Sequence, residues 1–95
     1  MQVAELQRKI EPILRSHGIK RAAVFGSVAR GTDRQGSDVD LLVRFGKPTG
    51  MFAFMRFVGE IEQALGRSVD VVTENSLSKH IRPHVETDLR TIYES

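Results

Sequence analysis

Two aspartates flank a single valine at the start of an apolar run in the stretch VFGSVARGTDRQGSDVDLLVRF, residues 24–45. Residues two apart on a β-strand point to the same face, so Asp38 and Asp40 would project together with α-carbons ~7 Å apart. Two like charges this close are unfavourable without a cation. Carboxylate oxygens suit Mg²⁺ and Mn²⁺, and Mg²⁺ is commonly held by one or two carboxylates plus substrate phosphates. The pair therefore predicts a divalent metal site; the alternative is two solvated aspartates at an exposed strand end.

A third aspartate, Asp70, lies between valines in the short run SVDVV. If this run forms a strand beside the Asp38–Asp40 strand, its carboxylate can join the other two. Three carboxylates can hold two metals ~3.5–4 Å apart, a geometry that assists in-line phosphoryl displacement. The alternative is a partly exposed aspartate on an edge strand, and Glu74, just past the expected strand end, is a weaker candidate for the third carboxylate.

Gly26 and Ser27 follow the apolar run RAAVF. Glycine lets the backbone turn sharply and approach a ligand closely, and the next N–H groups together with the Ser27 hydroxyl could hold a phosphate. A Gly-Ser pair alone is more often a simple turn, so its significance depends on the aspartates downstream. Arg30 in the same turn could contact phosphate or could pair with a carboxylate to brace the loop.

The apolar periodicity predicts a small α/β domain with helices packed against a short sheet. The predicted elements are a helix over 3–17, a strand over 21–25, a turn or short helix over 26–31, a strand over 39–45, a helix over 51–65 capped by Gly66, a strand over 68–73, and a last helix from about Pro83 to about Tyr93.

Composition bounds the class of protein. The chain has 95 residues, 40% hydrophobic and 27% charged, which predicts one domain over 1–95. It has no cysteine, which excludes disulfides and thiolate metal sites. The net charge of +2 is spread along the chain, so direct nucleic-acid binding is not expected. No apolar stretch approaches the ~20 residues of a membrane span, and we expect a cytoplasmic protein.

One motif of this sequence resembles the active-site motif of the nucleotidyltransferase superfamily that includes DNA polymerase beta. It consists of Gly26-Ser27, ten intervening residues and then Asp38-Val39-Asp40. The fuller strings FGSVARG and SDVDLLV resemble the minimal nucleotidyltransferases of prokaryotes, in which the fold is a mixed sheet flanked by helices. The resemblance implies that Asp38 and Asp40 are catalytic metal ligands and that Asp70 is the third, with its role as a base left open. It also implies that Gly26 and Ser27 bind the triphosphate.

The same resemblance implies an activity and a partner. Antitoxin members of this family use ATP, with Mg²⁺ or Mn²⁺, to adenylylate a tyrosine of a small helical HEPN-domain ribonuclease toxin. The expected assembly is a hetero-oligomer of the two proteins. One alternative is an antitoxin that inhibits the toxin by occlusion without catalysis. Another is a small-molecule nucleotidyltransferase, against which the short chain argues because such enzymes resemble this fold only in their first domain.

A 95-residue domain has little room to enclose both a nucleotide and an acceptor, so the acceptor must arrive from outside. We therefore expect an open cleft between the Gly26–Gly31 turn and the Asp38–Asp40 strand. The segment GKPTGMFAFM, residues 46–55, is a candidate partner surface, with at least one of Met51 and Phe52 exposed. If both were buried, the C-terminal segment from Arg82 to Tyr93 would be the next candidate.

Overall fold

The computed structural model describes residues 1–32, 34, 38–74 and 88–95. In chain order, the helices and strands in these ranges are α1 (Val3–Ser16), β1 (Ile19–Phe25), α2 (Gly26–Arg30), β2 (Val39–Phe45), α3 (Met51–Leu65), β3 (Val69–Thr73) and β4 (Arg90–Glu94). The predicted first helix, the three predicted strands and the 51–65 helix are confirmed, with end points that differ by two residues at most.

The strands of the described ranges form one mixed sheet in the order β3-β2-β1-β4. β1 pairs antiparallel with both β2 and β4, whereas β2 and β3 run parallel. Parallel neighbours need a crossover connection, and α3 supplies it here. The predicted fold class, a mixed sheet of three or more strands flanked by helices, is confirmed.

One face of the sheet is buried beneath α1 and α3. Along β2, Val39, Leu41 and Val43 face this core and are fully buried, so Asp40 points to the other face. The helices each contribute a buried stripe, which consists of Leu6, Ile10 and Leu14 from α1 and Phe57, Ile61 and Leu65 from α3. This packing fixes β2 in one register, because a slip of one residue would put Asp40 into the core.

α3 ends where the sequence predicts, at Gly66, whose φ of 67° is the left-handed conformation that favours glycine at a helix C-terminus. No helix in the described ranges is long and apolar enough to cross a membrane.

The predicted C-terminal helix is wrong at its end, because Arg90–Glu94 form β4. Ile92 is buried in the core and Tyr93 pairs with Ala22 of β1. β-branched and aromatic residues suit a half-buried strand, and β1 would otherwise present an unpaired edge here. The remainder of that predicted helix, from Pro83 to residue 87, lies outside the described residues.

Candidate active site

Asp40 and Asp70 face each other across the parallel strands β2 and β3. They are register partners, and the neighbouring pair Val39 and Val69 faces the core. Since successive residues of a strand alternate between faces, both aspartates lie on the sheet face opposite α1 and α3. The predicted placement of Asp70, on the strand beside Asp40 and on the same face, is confirmed.

The carboxylate of Asp40 lies in an electrostatically unfavourable place. Burial raises its pKa above the ordinary 3.8, and the negative charges of Asp70 and then Asp38 raise it further, while Arg30 acts in the opposite direction. Asp38 and Asp70 are themselves exposed. In the described ranges, no three acidic or histidine side chains form a preassembled metal cluster. The site therefore has the oxygen donors and the excess negative charge that suit a divalent cation, but its carboxylates do not converge on one point.

Gly26 brings the backbone of the β1–α2 turn directly against Asp40. Its φ is 73°, and a Cβ built at this position would collide with Asp40 Oδ2 and stand 3.3 Å from Asp40 Cγ. Phe25, the preceding residue, is the register partner of Asp40 on β1. Glycine is thus required here for two separate reasons, a left-handed conformation and the absence of a side chain. The motif residues Gly26 and Asp40 form one contact, although fourteen positions separate them in the sequence.

The short helix α2 is anchored by two of its residues. Val28 and Ala29 are buried in the core, and the chain leaves the helix at Gly31, which has a φ of 75°. Ser27 is half-buried, and its carbonyl accepts a hydrogen bond from the Thr32 N–H at 2.9 Å. Ser27 is therefore held one residue after the Gly26–Asp40 contact.

Two hydrogen bonds fix the beginning of β3, one to β2 and one to α3. The Val39 N–H donates to the Ser68 carbonyl at 2.9 Å. The Val69 N–H donates to Glu62 Oε2, also at 2.9 Å. Glu62 belongs to the last turns of α3, so this helix fixes the backbone one residue before Asp70. Sequence reasoning did not identify Glu62, because its partner is a backbone group that only the fold brings near.

Arg30 is exposed and pairs with Asp88, which precedes β4. Of the two roles left open by the sequence, pairing with a carboxylate is therefore observed. Arg30 is also close enough to Asp40 to lower the pKa of that carboxyl group. The guanidinium thus lies between the site and the C-terminal strand.

A family model described as the nucleotidyltransferase domain matches residues 7–92 of the sequence. The chain belongs to the nucleotidyltransferase domain family. The match spans every helix and strand described above except the first residues of α1 and the end of β4.

Individual relatives of this nucleotidyltransferase agree with that assignment. A protein of Methanocaldococcus jannaschii, whose name gives protein adenylyltransferase as a provisional activity, is 42% identical over 85 residues, which cover 90% of this chain and 91% of that protein. Protein adenylyltransferase MntA of Thermococcus cleftensis is 36% identical over 81 residues, which cover 77% and 82% of the two chains. A solved toxin–antitoxin complex with AMP-PNP contains a chain with a TM-score of 0.80 and 25% identity, covering 94% of this chain and 73% of that one.

Glu74 is excluded as a third carboxylate of the site in this nucleotidyltransferase. It follows β3, four residues beyond Asp70, and this distance is about 13 Å along a strand. Its carboxylate lies 3.9 Å from the guanidinium of Arg21 on β1. Glu74 therefore serves an ion pair at the other end of the sheet.

A cavity of about 720 Å³ also lies at that other end. Its lining includes Arg44, Lys47, Met51 and Phe54. Phe45 ends β2 five residues after Asp40, about 16 Å away along the strand. The cavity therefore does not belong to the carboxylate site, which is an exposed surface formed by Asp38, Asp70 and the half-buried Asp40.

Proposed function

We propose that this nucleotidyltransferase is a metal-dependent protein adenylyltransferase that transfers AMP from ATP to a tyrosine hydroxyl of a HEPN-type toxin, and that it acts as the antitoxin of that pair. The observation that carries the proposal is the pairing of Asp40 with Asp70 against the Gly26 turn. The activity in the names of the two relatives and the toxin–antitoxin assembly of the solved neighbour support it. The family match over residues 7–92 supports a single minimal nucleotidyltransferase domain over 1–95.

Asp38, Asp40 and Asp70 would hold Mg²⁺ or Mn²⁺. The donor set fits a hard cation, because it consists of carboxylate oxygens and because the Asp40 carboxylate carries a charge that its surroundings disfavour. Asp38 and Asp70 are exposed, so their side chains are free to rotate toward a shared ion. When bound, the metal would neutralise negative charge on the carboxylates and on the triphosphate.

Gly26, Ser27 and Arg30 are the proposed contacts to the triphosphate. Gly26 lets the backbone of the α2 turn approach the Asp40 carboxylate closely, so a ligand held by the carboxylates would also lie beside this turn. The Ser27 hydroxyl is a hydrogen-bond donor for a phosphate oxygen. Arg30 offers a bidentate donor once it releases Asp88. The triphosphate of ATP would then lie beside the α2 turn and the three carboxylates.

The transfer step forms one bond and breaks one bond. The acceptor oxygen attacks the α-phosphorus, and the bond from that phosphorus to the bridging oxygen of pyrophosphate breaks, so that pyrophosphate leaves with the bonding electrons. The hydroxyl proton passes to a carboxylate, and Asp70 is the candidate base. Asp70 is exposed and belongs to β3, the outermost strand of the sheet in the described part of the chain, so an acceptor on another protein can reach it from solvent.

A second function, inhibition of the toxin by occlusion, is favoured by a separate observation. Met51 and Phe52 are 75% and 84% exposed, where at least one of the two was expected to be exposed. Such a surface could bind the partner tightly without any reaction. The two functions differ in the state of the toxin after the proteins are separated, because transfer leaves it modified and occlusion leaves it unmodified.

The test mixes the purified chain with ATP, Mg²⁺ and the HEPN-type protein, and then separates the two proteins. The proposed transfer predicts that the HEPN-type protein gains the mass of one or more AMP groups on tyrosine and remains inactive. Occlusion alone predicts an unchanged mass and activity that returns on separation. The Asp38→Asn/Asp40→Asn variant is the matched control, and it should bind the partner without modifying it.

A further inference from the structure

The first half of α3 presents apolar side chains to solvent. Met51, Phe52 and Met55 are 75%, 84% and 62% exposed, and Arg56 and Gly59 are exposed beside them. A helix on the surface of a globular protein normally carries polar residues on this face. We call these five residues the α3 docking face. Methionine and phenylalanine exposed together are typical of protein-binding surfaces, because methionine adapts its shape and aromatic rings anchor interfaces.

The chain segment that carries the α3 docking face is basic. Residues 44–59, RFGKPTGMFAFMRFVG, contain Arg44, Lys47 and Arg56 and no aspartate or glutamate. All three basic residues are exposed. Arg44 and Lys47 also line the 720 Å³ cavity, together with Met51 of the docking face and with Glu74, whose carboxylate pairs with Arg21. The complement of this surface is therefore an apolar patch with acidic residues at its border.

The docking face lies at the end of the sheet opposite the carboxylates. α3 begins after the loop that leaves the end of β2, whereas Asp40 stands near the start of β2, about 16 Å from Phe45 along the strand. Asp40 and Asp70 lie on the sheet face that α3 does not cover. A partner bound here makes its contacts away from the site, so its affinity and its modification depend on different residues.

We propose that the α3 docking face binds an acid-bordered apolar surface of the protein that this chain adenylylates. The inference rests on the proposed function for the identity of the occupant. A second copy of this chain is disfavoured, since a two-fold contact would bring the basic residues of one copy, Arg44, Lys47 and Arg56, toward the basic residues of the other. The partner supplies the opposite charge, and the apolar contact supplies the anchor.

Two substitutions at Phe52 separate the apolar contribution from the electrostatic one. Phe52 is the second residue of α3, where a negative side chain interacts favourably with the helix dipole, so Phe52→Glu should not unfold the chain. Both Phe52→Glu and Phe52→Lys remove the ring, but Glu repels an acidic partner and Lys attracts it. Gln63→Glu is the matched control, because it adds the same charge to an exposed position in the second half of α3.

The experiment measures binding of the full chain to the HEPN-type protein by titration calorimetry, with sedimentation of each variant alone. We expect Phe52→Glu to weaken binding at least about tenfold, Phe52→Lys to weaken it less, and Gln63→Glu to leave it unchanged. The KM for the protein substrate should rise in Phe52→Glu while the KM for ATP and Mn²⁺ binding stay at their wild-type values.

Unchanged partner affinity in Phe52→Glu would overturn the proposal, as would equal losses in Phe52→Glu and Phe52→Lys. Self-association of the wild-type chain that Phe52→Glu abolishes would assign the surface to a second copy instead. Binding that depends on Phe52 without any AMP transfer would uphold the surface and refute the proposed function. Normal transfer by Phe52→Glu at limiting partner concentration would refute the docking surface and uphold the proposed function.

Discussion

Asp40 of β2 and Asp70 of β3 stand opposite each other in register on two parallel strands, with the Gly26 backbone against the Asp40 carboxylate. The arrangement joins three segments that are separate in the sequence into one surface. It also raises the pKa of Asp40, through burial first and then through Asp70 and Asp38. A site whose surroundings disfavour the ionised carboxylate of Asp40 is suited to a cation. Without a cation, this unfavourable charge should lower the free energy of unfolding at neutral pH.

Without metal, Asp40→Asn should raise the free energy of unfolding at pH 7, by up to about 1 kcal/mol for a partly exposed charge. The folded state raises the pKa of Asp40 above 3.8, so its ionised form costs stability at neutral pH. That cost disappears as pH falls through the raised pKa toward 3.8, and the two proteins should then converge in stability. Urea unfolding in EDTA at pH 7 and at pH 3.8 measures the difference. A variant that is less stable than wild type at pH 7 would contradict the electrostatic account.

Gly26→Ala should lose more stability than Gly31→Ala. Both glycines have positive φ, 73° and 75°, so each substitution carries a similar backbone cost of about 1 kcal/mol. Only the Cβ at Gly26 meets the Asp40 carboxylate, whereas nothing lies within 4 Å of a Cβ at Gly31. Urea unfolding of the two variants isolates the collision from the strain. Equal losses would mean that the Gly26–Asp40 contact is unimportant.

Glu62→Ala should destabilise the protein by about 1–3 kcal/mol, because the Val69 N–H loses its acceptor. Glu62→Gln keeps an oxygen acceptor and should recover most of that loss. Glu60→Ala is the control, because Glu60 lies on the same helix as Glu62 and the substitution removes its 3.3 Å contact with His17. If Glu62 positions Asp70, then AMP transfer at saturating substrate should fall in Glu62→Ala and return in Glu62→Gln. Full transfer in Glu62→Ala would restrict Glu62 to a role in stability.

Arg30→Ala and Asp88→Ala together distinguish the two roles of Arg30. Each variant breaks the Arg30–Asp88 ion pair, but only Arg30→Ala removes a candidate phosphate contact. A phosphate contact predicts that the KM for ATP rises at least about tenfold in Arg30→Ala and changes little in Asp88→Ala. The same rise in both variants would mean that Arg30 acts by bracing β4.

Much of the site could be predicted from short stretches of sequence, because the residue pattern within a single strand or helix determines which face each side chain occupies. The alternation of valine and aspartate fixes the faces of β2 and β3, and the helical period fixes α3. The contact of Gly26 with Asp40 and the bond from Val69 to Glu62 could not be predicted, since they depend on how separate elements pack.

The C-terminal strand was missed for a related reason. Arg90–Glu94 form a strand because they pair with β1, about seventy residues earlier, and no local pattern of five residues reveals such a partner. The sequence predicted that at least one of Met51 and Phe52 is exposed, and both are, but it did not predict at which end of the sheet they lie. The parallel pairing of β2 with β3 makes α3 begin at the end of the sheet farthest from Asp40.

The most direct test of the account is the rate of AMP transfer from α-labelled ATP to the HEPN-type protein by wild type, Asp40→Asn and Asp70→Asn in Mg²⁺. The account predicts transfer by wild type that EDTA abolishes, and a loss of at least about 100-fold in each variant while partner binding persists. Wild-type rates in Asp40→Asn, or transfer that continues in EDTA, would contradict the carboxylate metal site on which the proposed function depends.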